Sequence, residues 1–452
     1  MSVAYQNAVA RMYALGHELQ HPPASKFDLA HMQALLSGLE NPERRFPSVL
    51  IAGTNGKGST AATLASILAT SGLRTGLYTS PHLMRINERI RVDGDAIDDE
   101  KFALLHDLVD RTAERLIEDG ELASHPSFFE MLTAIAFEYF STAKLDIAVL
   151  EVGMGGRLDA TNVVEPRVSV ITDISLDHQK FLGDTVAQIA REKAGIIRPG
   201  GIVVTLPQAP EANDVIGNAI LEKNARAVSA ADYVPSLTAH VRPLTTWAGT
   251  KTSRYALELM GKEILVETPL LGRHQLRNTA LAIATAEQLG AQGFSISPQA
   301  IEQGIRRTRW PGRFQVLPPT GARGEVVLDV AHNPAGAWAL RSSLSAYYEN
   351  RRLVMVFGAM RDKAIGEIAE ILFPLADLVI ATQAENPRSG TGEDIREAGA
   401  RTHTQFELTR SVSAALERAC RLAAGEALVV VTGSIYVVGE AMQALGVSPD
   451  GQ

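Results

Sequence analysis

The 452-residue chain contains a single cysteine, Cys420. One cysteine excludes an internal disulfide and any zinc site built on several thiolates. Its setting, SAALERACRLA, has helical spacing and reads as a packed core position. Positive charge is also in deficit: 43 Lys and Arg against 51 Asp and Glu leave a net charge of −8. A nucleic-acid partner calls for the opposite, a basic face, although local basic pockets for phosphates stay compatible with this balance. No apolar run approaches the ~20 residues that span a bilayer. The N-terminal MSVAYQNAVARMYAL lacks a basic start followed by a long apolar core, so no secretory signal is read and a cytoplasmic protein is expected. With 46% hydrophobic and 21% charged residues, the composition is that of a globular chain, and its length calls for two or three domains.

What is present centres on Pro47–Thr60, PSVLIAGTNGKGST. Val49, Leu50 and Ile51 form the short apolar run of a buried parallel strand. Gly53, Gly56 and Gly58 surround Lys57, and Ser59, Thr60 and the amphipathic ATLASILATSG follow. Strand, glycine loop and helix in this order make a phosphate cradle, with backbone N–H groups, a helix N-terminus and a lysine charge aimed at one anion. The fit to G-x-x-x-x-G-K-[ST] is imperfect: Ile51 stands at the first glycine's place and Gly58 separates Lys57 from Ser59. A glycine-rich turn without ligand is the plainer alternative.

Two amphipathic helices are expected over residues 1–40, broken at His21-Pro22-Pro23 and restarting near Ser25 or Asp28. Further strands are expected in RTGLYTS, LDIAVLEVG, RVSVITDIS and GGIVVTLP, with helices over Asp98–Asp119 and Ser127–Phe140. Residues 235–270 change to short β-like pieces, and HQLRNTALAIATAEQLG is a clear helix. Trp310-Pro311-Gly312 marks the domain boundary, dividing the chain into 1–309 and 310–452. Beyond it GEVVLDVA, RRLVMVFGA, DLVIATQ and ALVVVTGS alternate with helical patterns, a second parallel α/β domain without its own glycine–lysine loop. Ser80, Glu151 and His178 each follow a strand pattern in the first domain. In a doubly wound sheet they would share one edge with Lys57, where hard ligands for magnesium belong.

The motifs GTNGKGST, TSPHL with NERI, FFE, EVGMGGRLDATN, ITDISLDH, EKAGI, LGRHQLRN, WPGRF and DVAHNP occur in this order. Together they resemble folylpolyglutamate synthase / dihydrofolate synthase of the Mur ligase superfamily, from about Ser25 to about Tyr436. Met154 replaces the leucine usual before the glycine pair. The resemblance implies an α/β fold, with a P-loop parallel-sheet ATPase domain of the Mur central type followed by a smaller Rossmann-like domain. It implies an ATP-dependent ligase: a folate or pteroate carboxylate becomes an acyl phosphate, then an amide of L-glutamate, releasing ADP and phosphate. Lys57 would steady the transferring phosphoryl group, within an ATP cradle of Asn55, Gly56, Lys57, Gly58, Ser59 and Thr60. Ser80 and Glu151 would hold one magnesium and His178 would help hold a second. Asn278, Arg313 and Asp329 match family ATP positions, with domain closure bringing Arg313 and Asp329 to the nucleotide. Phe128, Phe129 and the Arg157–Asp159 segment are folate candidates, with core packing an equal alternative for the two phenylalanines. Lys193, by spacing alone a surface lysine complementing a helix C-terminus, matches a family lysine carbamylated by carbon dioxide. A monomer is expected.

Two other classes compete. A Mur relative joining another acid and amino acid is disfavoured by SPHL and GGRLDATN. A non-catalytic ATP switch is disfavoured by the presence of Lys57, Glu151, His178 and Lys193; a small-molecule kinase would share the cradle but need no glutamate.

Overall fold

Val49, Leu50, Ile51 and Ala52 are wholly buried, as a strand must be when helices cover both faces of its sheet. The computed structural model describes residues 2–16, 29–236, 242–245, 251–321, 323–423 and 426–448. The expected break at His21-Pro22-Pro23 and the restart near Ser25 or Asp28 lie outside the described residues. The flanking helices, Val3–Ala14 and Leu29–Gly38, are as expected.

The described residues fall into two compact units. The first comprises Met1–Val234, Leu259–Ile264 and Arg277–Ile305. Its strands are β1 (Ser48–Ala52), β2 (Thr75–Tyr78), β3 (Ile90–Val92), β4 (Asp95–Ala96), β5 (Ile147–Glu151), β6 (Val168–Ile171), β7 (Ile202–Thr205) and β8 (Arg226–Ser229). They form one sheet in the order β4-β3-β2-β5-β1-β6-β7-β8. From β2 to β8 every pairing is parallel, and β3 and β4 add an antiparallel hairpin at one edge. The carboxyl ends of β2, β5, β1 and β6 therefore lie side by side, and the segments leaving them begin at Thr79, Val152, Gly53 and Thr172. Behind β1 the helix Lys57–Thr70 is crossed closely by the helix Pro298–Arg307. A Cβ on Gly304 would collide with the Ile67 backbone, and Ser66 Oγ donates to the Gly304 carbonyl at 2.7 Å.

The second unit comprises Pro235–Glu258, Leu265–Leu276 and Arg306–Gln452. The expectation of a cut at 309/310 placed everything before Trp310 in one body; residues 235–258 and 265–276 instead group with the later chain. Polar, short β-like pieces gave no sign of which sheet's surroundings they would join. These strands are β9 (Arg242–Thr245), β10 (Lys251–Leu259) and β11 (Lys262–Thr268), a three-stranded sheet in the order β11-β10-β9. The main sheet holds β12 (Gln315–Leu317), β13 (Val326–Leu328), β14 (Leu353–Phe357), β15 (Leu378–Ala381), β16 (Phe406–Leu408) and β17 (Leu428–Thr432), ordered β12-β13-β17-β14-β15-β16. β12 is antiparallel and the rest are parallel. Its core gathers Val327, Met355, Phe357, Phe373 and Val430 under the flanking helices. Cys420 lies on the helix Val412–Ala423, half-buried, with burial raising its thiol pKa.

Candidate active site

The loop leaving β1 is shaped by backbone freedom at two glycines. Gly56 sits at φ 87°, the left-handed region, and a Cβ there would strike the Asn278 amide. A Cβ on Gly53 would collide with Thr172 Oγ1. The helix Lys57–Thr70 then starts from Gly56 with no side-chain cap. Its first bonded amide is Thr60 N–H, which donates to the Gly56 carbonyl at 2.9 Å. The N–H groups of Lys57, Gly58 and Ser59 thus lie in the uncapped first turn, the anion-binding end of a helix.

Residues 54–55 are fastened to the segment leaving β6. Thr54 and Asn55 N–H both donate to the Asp173 carbonyl, at 2.9 and 3.1 Å. Thr54 Oγ1 donates to the Ser175 carbonyl at 3.0 Å, Asn55 Nδ2 to Ser175 Oγ at 3.1 Å, and Thr172 Oγ1 to the Asn55 carbonyl at 2.7 Å. Asn55 is therefore engaged with protein through its N–H, its carbonyl and its side chain.

Two lysines meet at one carbonyl. Lys57 Nζ donates to the carbonyls of Gly53 and Thr54 at 3.1 and 3.3 Å, and Lys193 Nζ donates to Gly53 at 2.7 Å. The plain alternative of a surface lysine is excluded for Lys193: its residue is 3% exposed. The helix Val186–Ala194 is amphipathic and turns this side chain inward, although the residue lies in its last turn. Burial, helped by the Lys57 charge, pulls the Lys193 pKa down to about 7, while Asp177 and Asp159 pull it upward. Near neutral pH much of this amine is uncharged.

Along the same edge, Glu151 ends β5, is buried, and accepts from Ser80 N–H at 3.1 Å across the carboxyl end of β2. His178 follows β6 as the left-handed residue (φ 50°) that opens the short helix Gln179–Leu182. Its N–H donates to Asp177 Oδ1 at 2.8 Å. Among the described residues no three His, Cys, Asp or Glu side chains gather into a closed cation set. The donors nonetheless suit magnesium, which prefers hard oxygens and keeps several waters or phosphate oxygens of its own. At the helix start, Thr60 Oγ1 is buried with no hydrogen-bond partner.

The folate candidates divide. Phe128 is buried, stacked on Tyr13 (ring centroids 5.8 Å apart) and capped by the Arg89 guanidinium, so its ring belongs to the core. Phe129 covers Gly153, where a Cβ would meet its ring, and lies 6.0 Å from the Tyr78 ring. Asp159 faces its own loop: it accepts from Met154 N–H at 2.9 Å and from Thr161 N–H and Oγ1 at 3.0 and 2.5 Å. Burial raises its pKa against those bonds. Arg157 is half-exposed and paired with Glu192 at 3.0 Å. Asn278 is buried against Gly56 on the helix Arg273–Gly290.

In the second unit Arg313 lies over the Trp310 ring at 5.9 Å. Asp329, just past β13, is buried and accepts from Phe314 and Ala331 N–H at 2.8 and 2.9 Å. Its pKa is raised by burial, opposed by those bonds and by the Arg313 and His332 charges. Sequence reasoning missed Arg277, which pairs with Asp173 at 2.5 Å; its place directly before Asn278 in LGRHQLRN was the available signal.

A glycine–lysine loop at the carboxyl edge of a parallel sheet, followed by a second parallel α/β unit, defines the class as the Mur ligase fold. Residues 111–286 match the Mur ligase middle domain, and residues 312–435 match the Mur ligase, glutamate ligase domain. The chain belongs to the folylpolyglutamate synthase / dihydrofolate synthase family. It is 34% identical over 418 residues to the dihydrofolate synthase/folylpolyglutamate synthase of Bacillus subtilis, covering 91% of this chain and 93% of that one. It is 38% identical over 416 residues to a probable bifunctional folylpolyglutamate synthase/dihydropteroate synthase of Haloferax volcanii, covering 91% of this chain but 47% of the relative. The chain thus spans about half the length of that relative. Among solved structures, Mycobacterium tuberculosis folylpolyglutamate synthase complexed with ADP and AMPPCP superposes with a TM-score of 0.86 at 31% identity, covering 98% of this chain and 100% of that one. E. coli FolC in complex with DHPP and ADP gives 0.79 at 31% identity and 97% of each chain. No helix among the described residues is long and apolar enough to cross a membrane.

Proposed function

We propose that the chain ligates L-glutamate to the carboxylate of a folate or dihydropteroate at the expense of ATP, releasing ADP and phosphate. The observation that carries this reading is the row of four adjacent strand ends, which sets the glycine–lysine loop beside Ser80, Glu151 and the Asp177–His178 turn. The substrate carboxylate attacks the γ-phosphorus, the bond to the ADP oxygen breaks, and the glutamate amine then displaces phosphate from the acyl carbon. Lys57 and the first-turn amides hold the transferring phosphoryl group, and Asn278, Arg313 and Asp329 are proposed nucleotide contacts. Phe129 is the aromatic proposed to meet the substrate ring, with Arg157 at the same loop. Ser80 and Glu151 would hold one magnesium ion and His178 a second; bound there, the ion neutralises charge on the phosphates.

Lys193 is proposed to carry a carbamate. Its neutral amine attacks carbon dioxide and loses one proton, and the product keeps an N–H for the Gly53 carbonyl while presenting a negative oxygen. A pKa lowered to about 7 favours that reaction. The protein is proposed to act as a cytoplasmic monomer.

The test is purified protein with ATP, magnesium and glutamate, given dihydropteroate and tetrahydrofolate side by side. ADP formation that requires both glutamate and one of these acids, with a product heavier by one glutamate residue, is expected. Phosphate release indifferent to glutamate would sink the reading.

A further inference from the structure

The phosphate loop does not hold its own shape. Thr54 and Asn55 have their amides, and Thr54 its hydroxyl, bound to Asp173 and Ser175. The segment Thr172–Ser175 is in turn held by two side chains. Gln208 Oε1 accepts from Ile174 N–H at 3.1 Å, and its Nε2 donates to the Thr172 carbonyl at 3.2 Å. Arg277 grips the Asp173 carboxylate through Nε and Nη2 at 3.1 and 2.5 Å, and Nη2 also donates to the Pro207 carbonyl at 3.1 Å.

We propose that Thr172–Ser175 is a splint for the phosphate loop and that Arg277 is a positioning residue acting through Asp173. The proposal rests on the nucleotide reading above and adds what sets the loop. A planar guanidinium bonded to both carboxylate oxygens fixes the orientation of Asp173. The Asp173 carbonyl, on the same residue, is the one that Thr54 and Asn55 share. Arg277 also stands beside Asn278, which packs against Gly56, so one turn of the helix Arg273–Gly290 presses the loop at two points. Both members of the ion pair are about one-third exposed, so its charge energy is modest. Its value is directional.

The experiment is hydrogen exchange on the full chain without nucleotide, comparing Arg277→Ala, Asp173→Ala, their double variant and Arg277→Lys. Thr54 and Asn55 amides should exchange about tenfold faster in either alanine variant and no faster in the double, because the two residues act as one unit. Lysine, which cannot grip both oxygens, should fall between. A merely structural loss would also speed β1 and β5, which should keep their protection. Gln208→Ala removes the other side chain that holds the same segment and serves if Arg277→Ala misfolds. Unchanged exchange at residues 54–55, or effects that add in the double variant, would overturn the splint. A fluorescent ADP titration runs beside it, with affinity expected to fall about tenfold in Arg277→Ala. Faster exchange in a protein that binds no ADP would sink the nucleotide reading and leave the splint standing.

Discussion

The two units each put helix N-termini at the carboxyl edge of a parallel sheet, and particular termini in them are finished in opposite ways. In the first, the helix Lys57–Thr70 begins at a glycine without a side-chain cap. In the second, the helix Pro334–Tyr347 is capped by Asn333, Gly392–Ala398 by a Thr391–Asp394 box, and Ile435–Ala444 by Ser434. Self-capping satisfies the first-turn amides from within the chain. The bare end at Lys57 leaves its first-turn amides without a side-chain cap, as the proposed phosphate site requires. Lack of a side-chain cap alone does not make a phosphate site, since Pro210–Glu222 and Ile365–Leu372 also begin without one; the glycine loop and Lys57 single out this terminus for the proposed role.

The sharpest way to break the contrast is Lys57→Ala. Loss of its charge should lower ligation by about a thousandfold with an unchanged melting temperature, read by ADP release and calorimetry. Near-normal turnover would show that the uncapped end has no phosphoryl role.

Lys193→Met should abolish ligation and yet stabilise the fold near neutral pH. In the folded chain the amine releases its proton near pH 7, and in the unfolded chain near its ordinary value of 10.5. Between these values the unfolded state binds more protons, so stability rises with pH across that window and the burial cost is fully present below it. The variant should therefore gain a few kcal/mol at about pH 7, with the gain shrinking toward pH 10. Denaturant melts across that range check the sign.

Gly56→Ala places a side chain at positive φ and into Asn278, costing about 1–3 kcal/mol and weakening ADP binding. Asn278→Gly added to it should recover part of the loss, and no recovery would point to backbone strain alone. Last, Thr391→Ala in the second unit should cost about 1 kcal/mol of stability while leaving ADP affinity intact. An equal fall in affinity would erase the distinction between capped and bare ends.

The parallel strands were legible because VLIA, AVLE, VSVI and VVV are apolar runs with no alternative in water. The loop was legible because glycines beside a lysine before an apolar helix have few other uses. β12 and β16, three residues each, were too short for a periodic signal, and β8 is largely exposed. The burial of Lys193 was open in the sequence, because helical position alone cannot show which face a lysine's helix buries. Phe128 packs in the core, the alternative its motif left open, and Asp159 ties its own loop, a bond set that no spacing in the sequence foretells. Arg277 escaped because its partner lies 104 residues away, and no local pattern encodes such a pair.

The strand order has a consequence for how the chain comes into being. β1 is flanked by β5 and β6, whose residues Ala148 and Val168 meet Ser48 and Val49 in register. Contacts of such long sequence separation are slow to form, because loop-closure entropy precedes any return from pairing. A nascent chain emerging from the ribosome therefore carries the glycine–lysine loop long before Asp173 and Ser175 exist to hold it. Through that interval β1 is an apolar strand with both edges unpaired, the form most prone to pair wrongly. Synthesis, rather than the finished protein, is where this architecture is most exposed.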